Sequence, residues 1–401
     1  MLGARAIEIQ PEVQLILSCA RTRLTASHTE RIRRLLRPDL NWAAILALAE
    51  ESGVTPLVFR HLSSVGARVP SLWLERLEKV TRANAIRTMY LTGELLRVTE
   101  RFASRGIPAI PYKGPALAAQ AYGDVALRQF HDVDIIVPQR LMASAHEHML
   151  SLGYRARFPW PHDAEPSSVR IPGEYTYRGG DNQSLIELHT EWTMRHFPVR
   201  PDLEALGKRL VSVSLGGQSV ATFCAEDALP ILCIHGAKDF WERLSWVVDI
   251  AELIATSSGL NWDTAFENAR ALKSERILLL GLTLAHNCVD APLAHSFVER
   301  LEADSVVTDL AEEVSRRLLS GGRTSWNAKD RFRFRYRLME RPTDGIRYVW
   351  RLATAPAEDE WSAAQGSAWS ARIQAALRPL RLLRRHGVAV SHPDKGPFEV
   401  S

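Results

Sequence analysis

The feature that most constrains this chain is a change of hydrophobic period. Residues 1 to about 105, and again those beyond Glu226, carry apolar side chains at helical three-to-four spacing. The stretch between them breaks into short strand-like runs bounded by Gly and Pro. "NWAAILALAEESG" has Asn41 as an N-cap and Gly53 as a stop, and Leu72 to Phe102 reads as one long amphipathic helix or a close pair. A chain so patterned can build only a small sheet. The expected fold is therefore α+β, a small mixed-sheet core flanked by N-terminal and C-terminal helical regions, with divisions at 1–84, 85–225 and 226–401.

Within the core, "IPAIPY" reads as a buried strand, "GPALAAQAYG" as a short helix with Pro115 in its first turn, and "HDVDIIVP" as a second strand. A helix follows over about Gln139 to Leu152. Further strands are expected at "EYTYRG", "SLIELHTEW" and "QSVATFC", and "RFPWPHDAEPSSVRIPG" reads as a loop. Side chains two apart on a strand share a face, so Asp132 and Asp134 would lie side by side. Glu187 in "LIELH" would face away from the core with His189. Three converging acids form an oxygen-rich cage of the kind Mg²⁺ (or Mn²⁺) takes alongside phosphate oxygens. The alternative is that Asp132 pairs with Arg128 or caps a turn and Glu187 lies on a solvated face.

Composition excludes several classes. Four scattered cysteines, Cys19, Cys224, Cys233 and Cys288, have neither zinc spacing nor a disulfide framework, and no apolar run is long enough to span a bilayer. The expectation is a soluble protein of the reducing cytoplasm. A net charge of +4 permits an anionic ligand without requiring a long nucleic acid. Lys113 and Gly114 stand at a strand-to-helix turn, where glycine lets backbone approach a phosphate and the following amides face it.

The ordered set "YKGPALAAQAYGDVALRQFHDVDIIVP", "IELHTEW" and "LCIHGAKDFWERLSWVVDIAELI" resembles the uncharacterised nucleotidyltransferase family, a branch of the DNA polymerase beta-like nucleotidyltransferase superfamily. Weaker similarity at "NWAAILALAEESGVTPLVFRHL", "GIRYVWRLATAPAEDEW" and "LRPLRLLRR" extends it over nearly the whole chain. The resemblance implies an NTP substrate, Gly114 at the phosphate turn, Asp132 and Asp134 as the metal-binding pair, and Glu187 as the third acid. Two departures stand out: Pro115 offers neither the hydroxyl nor the N–H common after the turn glycine, and Glu187 replaces the more usual Asp.

The implied chemistry is transfer of a nucleoside monophosphate to a hydroxyl of an unknown acceptor, with a small molecule, peptide or protein favoured over nucleic acid. Lys113 and Arg128 are expected as exposed cations clamping the phosphates, and Glu187 as a metal ligand or proton acceptor. His189, His235, Lys238 and Asp249 are further candidates to line the cleft, although the ladder of Trp241, Leu244 and Val248 is mainly packing. Trp192 is read as a buried aromatic or a base-stacking residue. "RFRFRYRL" and "LRPLRLLRR" are read as solvated helix faces before nucleic-acid surfaces. The competing readings are a metal-dependent glycosyltransferase using Asp-x-Asp and a nucleotide-binding pseudoenzyme.

Overall fold

A computed structural model describes residues 9–65, 68–157, 173–179, 184–190, 203–293, 297, 300–301, 304–320 and 326–354. Four helices come first: α1 (Pro11–Cys19), α2 (Ala26–Leu35), α3 (Trp42–Ser52) and α4 (Thr55–Val65). The α3 signals act as the sequence suggests. Asn41 Oδ1 accepts the Ala44 N–H at 3.0 Å, and Gly53 closes the helix at φ 72°. The amphipathic run that follows is a single 33-residue helix, α5 (Ser71–Ala103), which passes through residue 84 without a break.

A five-stranded mixed sheet forms the core, as expected. Its strands are β1 (Ile110–Pro111), β2 (Val133–Ile136), β3 (Arg155–Ala156), β4 (Glu174–Arg178) and β5 (Leu185–His189), in the order β1-β2-β5-β4-β3. Among the described residues of this sheet, only β2 and β5 run parallel. Alternation divides its faces. Val133, Ile135, Tyr177, Ile186 and Leu188 join Leu91, Leu95, Val98 and Phe102 of α5 and Met142, Ala145 and Met149 of α7 (Met142–Ser151) in one buried cluster. Fully burying each such aliphatic side chain contributes about 1.5–3 kcal/mol. The opposite face carries the polar side chains.

Between β1 and β2 lies α6 (Gly114–Leu117), which continues as a π-helical turn over Ala118–Tyr122 and stops at Gly123, φ 71°. Two strand expectations are corrected. Asp132 precedes β2 instead of lying within it. "QSVATFC" does not join the main sheet: β7 (Gln218–Phe223) pairs with β6 (Leu210–Leu215) in a separate hairpin. Gly216 and Gly217, at φ 57° and 82°, supply the left-handed turn.

A short helix, α8 (Leu203–Gly207), precedes this hairpin, and after it come α9 (Ala225–Lys238), α10 (Leu244–Thr256), α11 (Trp262–Ala271) and α12 (Glu275–Val289). Leu15, Ile45 and Leu57 share one contiguous core with Leu229, Val247, Ile250 and Leu278, so the early and late helices bury a common surface. The α9–α10 turn is strained, with Phe240 at φ 58° and Trp241 at φ 55°. Packing holds it there. Trp241 is 1% exposed, and a Cβ on Gly236 would fall 2.5 Å from its ring. This fixes the last turn of α9, which carries His235 and Lys238. Among the described residues, no helix is long and apolar enough to cross a membrane.

Candidate functional site

The parallel register of β2 and β5 sets Asp134 opposite Glu187 and Ile136 opposite His189. On the other side of β5, antiparallel β4 sets Thr176 opposite Glu187 and Glu174 opposite His189. Asp134, Glu174, Glu187 and His189 therefore share the face turned away from α5 and α7. Ligand atoms of Asp134, Glu187 and His189 lie within 4.8 Å of one another. Asp132 stands at the entrance to β2, and its carboxyl is raised by burial and then by Asp134.

Gly114 sets the approach of the turn. It adopts φ +53°, and an added Cβ would meet the Asp132 carbonyl oxygen at 3.1 Å. Only a residue without a side chain lets the turn lie this close to β2. Lys113 thereby reaches across: its Nζ is 2.7 Å from Asp134 Oδ1, and His189 Nε2 donates to the same oxygen at 2.9 Å. Burial by itself would raise the Asp134 carboxyl, but Lys113 and His189 hold it well below the usual range. Burial would lower Lys113, but Asp134 and Asp132 raise it.

From α9, Lys238 Nζ lies 3.0 Å from Glu174 Oε2, while His235 Nδ1 accepts from Lys113 Nζ at 3.5 Å. Burial and then Lys113 drive the His235 imidazole well below its ordinary value, so it is neutral. The acids outnumber their partners. Asp132, Asp134, Glu174 and Glu187 face the two ammonium groups of Lys113 and Lys238. Glu187 carries the surplus: burial, then repulsion from Asp134, Glu174 and Asp132, pushes its carboxyl up to about 8. Two carboxylates and an imidazole with ligand atoms this close form a donor set that fits a divalent cation.

Arg128 and Asp249, both expected to line the cleft, are joined in a buried ion pair, so Arg128 is not the exposed cation the sequence suggested. Arg128 is 7% exposed, and its Nε and Nη2 donate to Asp249 Oδ1 and Oδ2 at 2.7 and 2.8 Å. Tyr122 also donates to Asp249, at 2.7 Å. The guanidinium is held in this buried bidentate pair and is not exposed, and its charge acts on Asp132. Lys113 is likewise buried, at 8%, where an exposed cation was expected. Glu174 is the site residue that sequence reasoning missed. Its strand was recognised, but only the pairing with β5 brings it to His189.

The arginine-aromatic stretch forms helix Ala328–Arg337, and three of its arginines bond within the fold. Arg331 Nε donates to the Trp326 carbonyl, Arg335 Nη2 to the Lys238 carbonyl and Arg337 Nη2 to Asp309, at 3.0, 3.0 and 2.9 Å. Trp192, the "LRPLRLLRR" stretch and nearly all of the loop after Arg157 lie outside the described residues.

No curated protein and no solved structure matches the chain. A sequence model of one family, described as uncharacterised nucleotidyltransferase, matches residues 38–290. That span runs from just before α3 to the end of α12 and contains the whole acidic site, and the weaker similarity expected from Gly345 onward falls outside it. With more than half of its residues matched, the chain belongs to the uncharacterised nucleotidyltransferase family.

Proposed function

We propose that the protein transfers a nucleoside monophosphate from an NTP to a hydroxyl of an acceptor that is a small molecule, peptide or protein. The observation that carries this reading is the juxtaposition of Asp134 and Glu187 across parallel strands with Lys113 and Gly114 beside them. Asp132, Asp134 and Glu187 would hold Mg²⁺ or Mn²⁺, which when bound supplies charge neutralisation for the triphosphate and the leaving pyrophosphate.

The chain's own groups do the rest. Gly114 lets the triphosphate approach the turn, and Lys113 donates to its oxygens. Because Pro115 has no N–H, this lysine carries more of the phosphate binding than the first helical amides do. Arg128, anchored by Asp249 and Tyr122, braces the segment leading into β2 instead of touching the nucleotide. Glu187 takes the proton of the attacking acceptor hydroxyl. An oxygen–phosphorus bond forms at the α-phosphorus, and the bond to pyrophosphate breaks. His189 holds Asp134 in place.

The test uses NTP labelled at either the α- or the γ-phosphorus, with Mg²⁺ and extracts fractionated by size as acceptor sources. The expected result is α-label on an acceptor with release of pyrophosphate. Transfer of the γ-label alone, or of a sugar from a nucleotide sugar, would place the protein in another class. Binding of NTP without turnover would make it a pseudoenzyme.

A further inference from the structure

Lys113 does more in this structure than wait for a phosphate. Its ammonium is 2.7 Å from Asp134 Oδ1, on the acid central to the group that fits a metal. The lysine side chain is 10% exposed and that of Asp134 3%, so neither charge has water as a substitute partner. A dication that reached Asp134 alone would meet a fixed positive charge on the same carboxylate and would take from the buried Lys113 ammonium the acid it contacts. The other acids that act on Lys113, Asp132 and Glu187, belong to the set proposed to hold the metal, and His235 beside it is neutral and cannot supply an anion. Triphosphate oxygens can.

We propose that Lys113 is a built-in counter-cation for Asp134, and that divalent metal enters fully only as Lys113 passes from Asp134 to the phosphates of an arriving NTP. Metal and nucleotide then bind as a coupled pair, and the nucleotide-free protein is guarded against holding metal in its acidic face. The proposal rests on the nucleotidyltransferase reading of the same site, but it concerns the order of binding and not the transfer. Lys238 provides an internal contrast. It is a nearby cation of equal charge, but it pairs with Glu174 and not with Asp134.

The experiment measures Mn²⁺ binding without nucleotide, by loss of the free-ion signal in electron paramagnetic resonance, for wild type and four variants. Lys113→Met and Lys113→Gln remove the counter-cation with different side-chain polarity, so either one that folds is informative. Both are expected to bind Mn²⁺ about tenfold or more tightly than wild type. Lys113→Arg, which keeps the charge, and Lys238→Met, which removes a charge from the neighbouring pair, are expected to stay within about threefold. Unchanged or weaker Mn²⁺ binding in the neutral Lys113 variants would overturn the exchange, and so would an equal gain in Lys238→Met. Labelled-NTP turnover by wild type separates the two ideas. Turnover without a gain in Mn²⁺ affinity refutes the exchange alone, whereas a gain without turnover refutes only the transferase reading.

Discussion

Replacing Glu187 with Gln tests whether the acidic face is overcharged when no metal is present. The wild-type carboxyl is raised from 4.5 to about 8 by burial and by Asp134, Glu174 and Asp132. The sign follows from linkage. A group whose folded pKa is raised contributes stability that is fully present below its unfolded value and lost as pH climbs to the folded one. Wild type should therefore lose stability between about pH 4.5 and about pH 8. At ~1.4 kcal/mol per unit, the gap between those values sets a ceiling of about 5 kcal/mol.

Solvent lowers that ceiling. The Glu187 side chain is 18% exposed, so water screens part of the repulsion, and we expect about 2–3 kcal/mol. Gln is neutral and nearly isosteric, so the variant should show a flatter profile and overtake wild type on the alkaline side. Urea unfolding from about pH 5 to about pH 9, with metal chelated, gives both curves. Mg²⁺ added at high pH should stabilise wild type more than the variant, because only wild type has the surplus charge to offset. Parallel pH profiles for the two proteins would refute the idea that the acids share too few cations.

Two further outcomes follow from the same geometry. Asp249→Asn removes the bidentate acceptor of a buried Arg128 and should cost about 3–5 kcal/mol in thermal or chemical unfolding, whereas Tyr122→Phe, losing one neutral donor, should cost about 1 kcal/mol. Asp132→Asn and Asp134→Asn should both abolish turnover but act oppositely on the metal-free fold. The first relieves a raised carboxyl and leaves stability equal or higher, and the second strands Lys113 and lowers it; equal melting shifts of one sign in both variants would contradict this assignment.

The placement of the candidate site residues was legible wherever it depended on local spacing. Glu187 and His189 two apart on one strand, and a glycine at a strand-to-helix turn, are patterns of period and backbone freedom, and both are written along the chain. The β6–β7 hairpin was legible too, since Gly216 and Gly217 separate two alternating runs, but that signal went unread. Glu174 was not legible. Its place at the site follows from the register of β4 on β5, and a strand's sequence does not name its partner.

Arg128 shows most plainly why the remainder was hidden. From sequence it and Lys113 are equivalent, two cations flanking one helix before an Asp-x-Asp. The difference lies 121 residues away, where α10 presents Asp249 in a position to take both guanidinium nitrogens. Once that carboxylate is buried, an arginine is the better partner, because its planar fork satisfies both oxygens at once. A lysine could satisfy only one. Lys113 meets the converse demand: a compact ammonium on a flexible stem can leave one oxygen and find another, as the proposed exchange between Asp134 and a phosphate requires. The two cations therefore divide the work by chemistry. The fixed fork fastens the central segment to the helical body, and the movable charge stays at the acids.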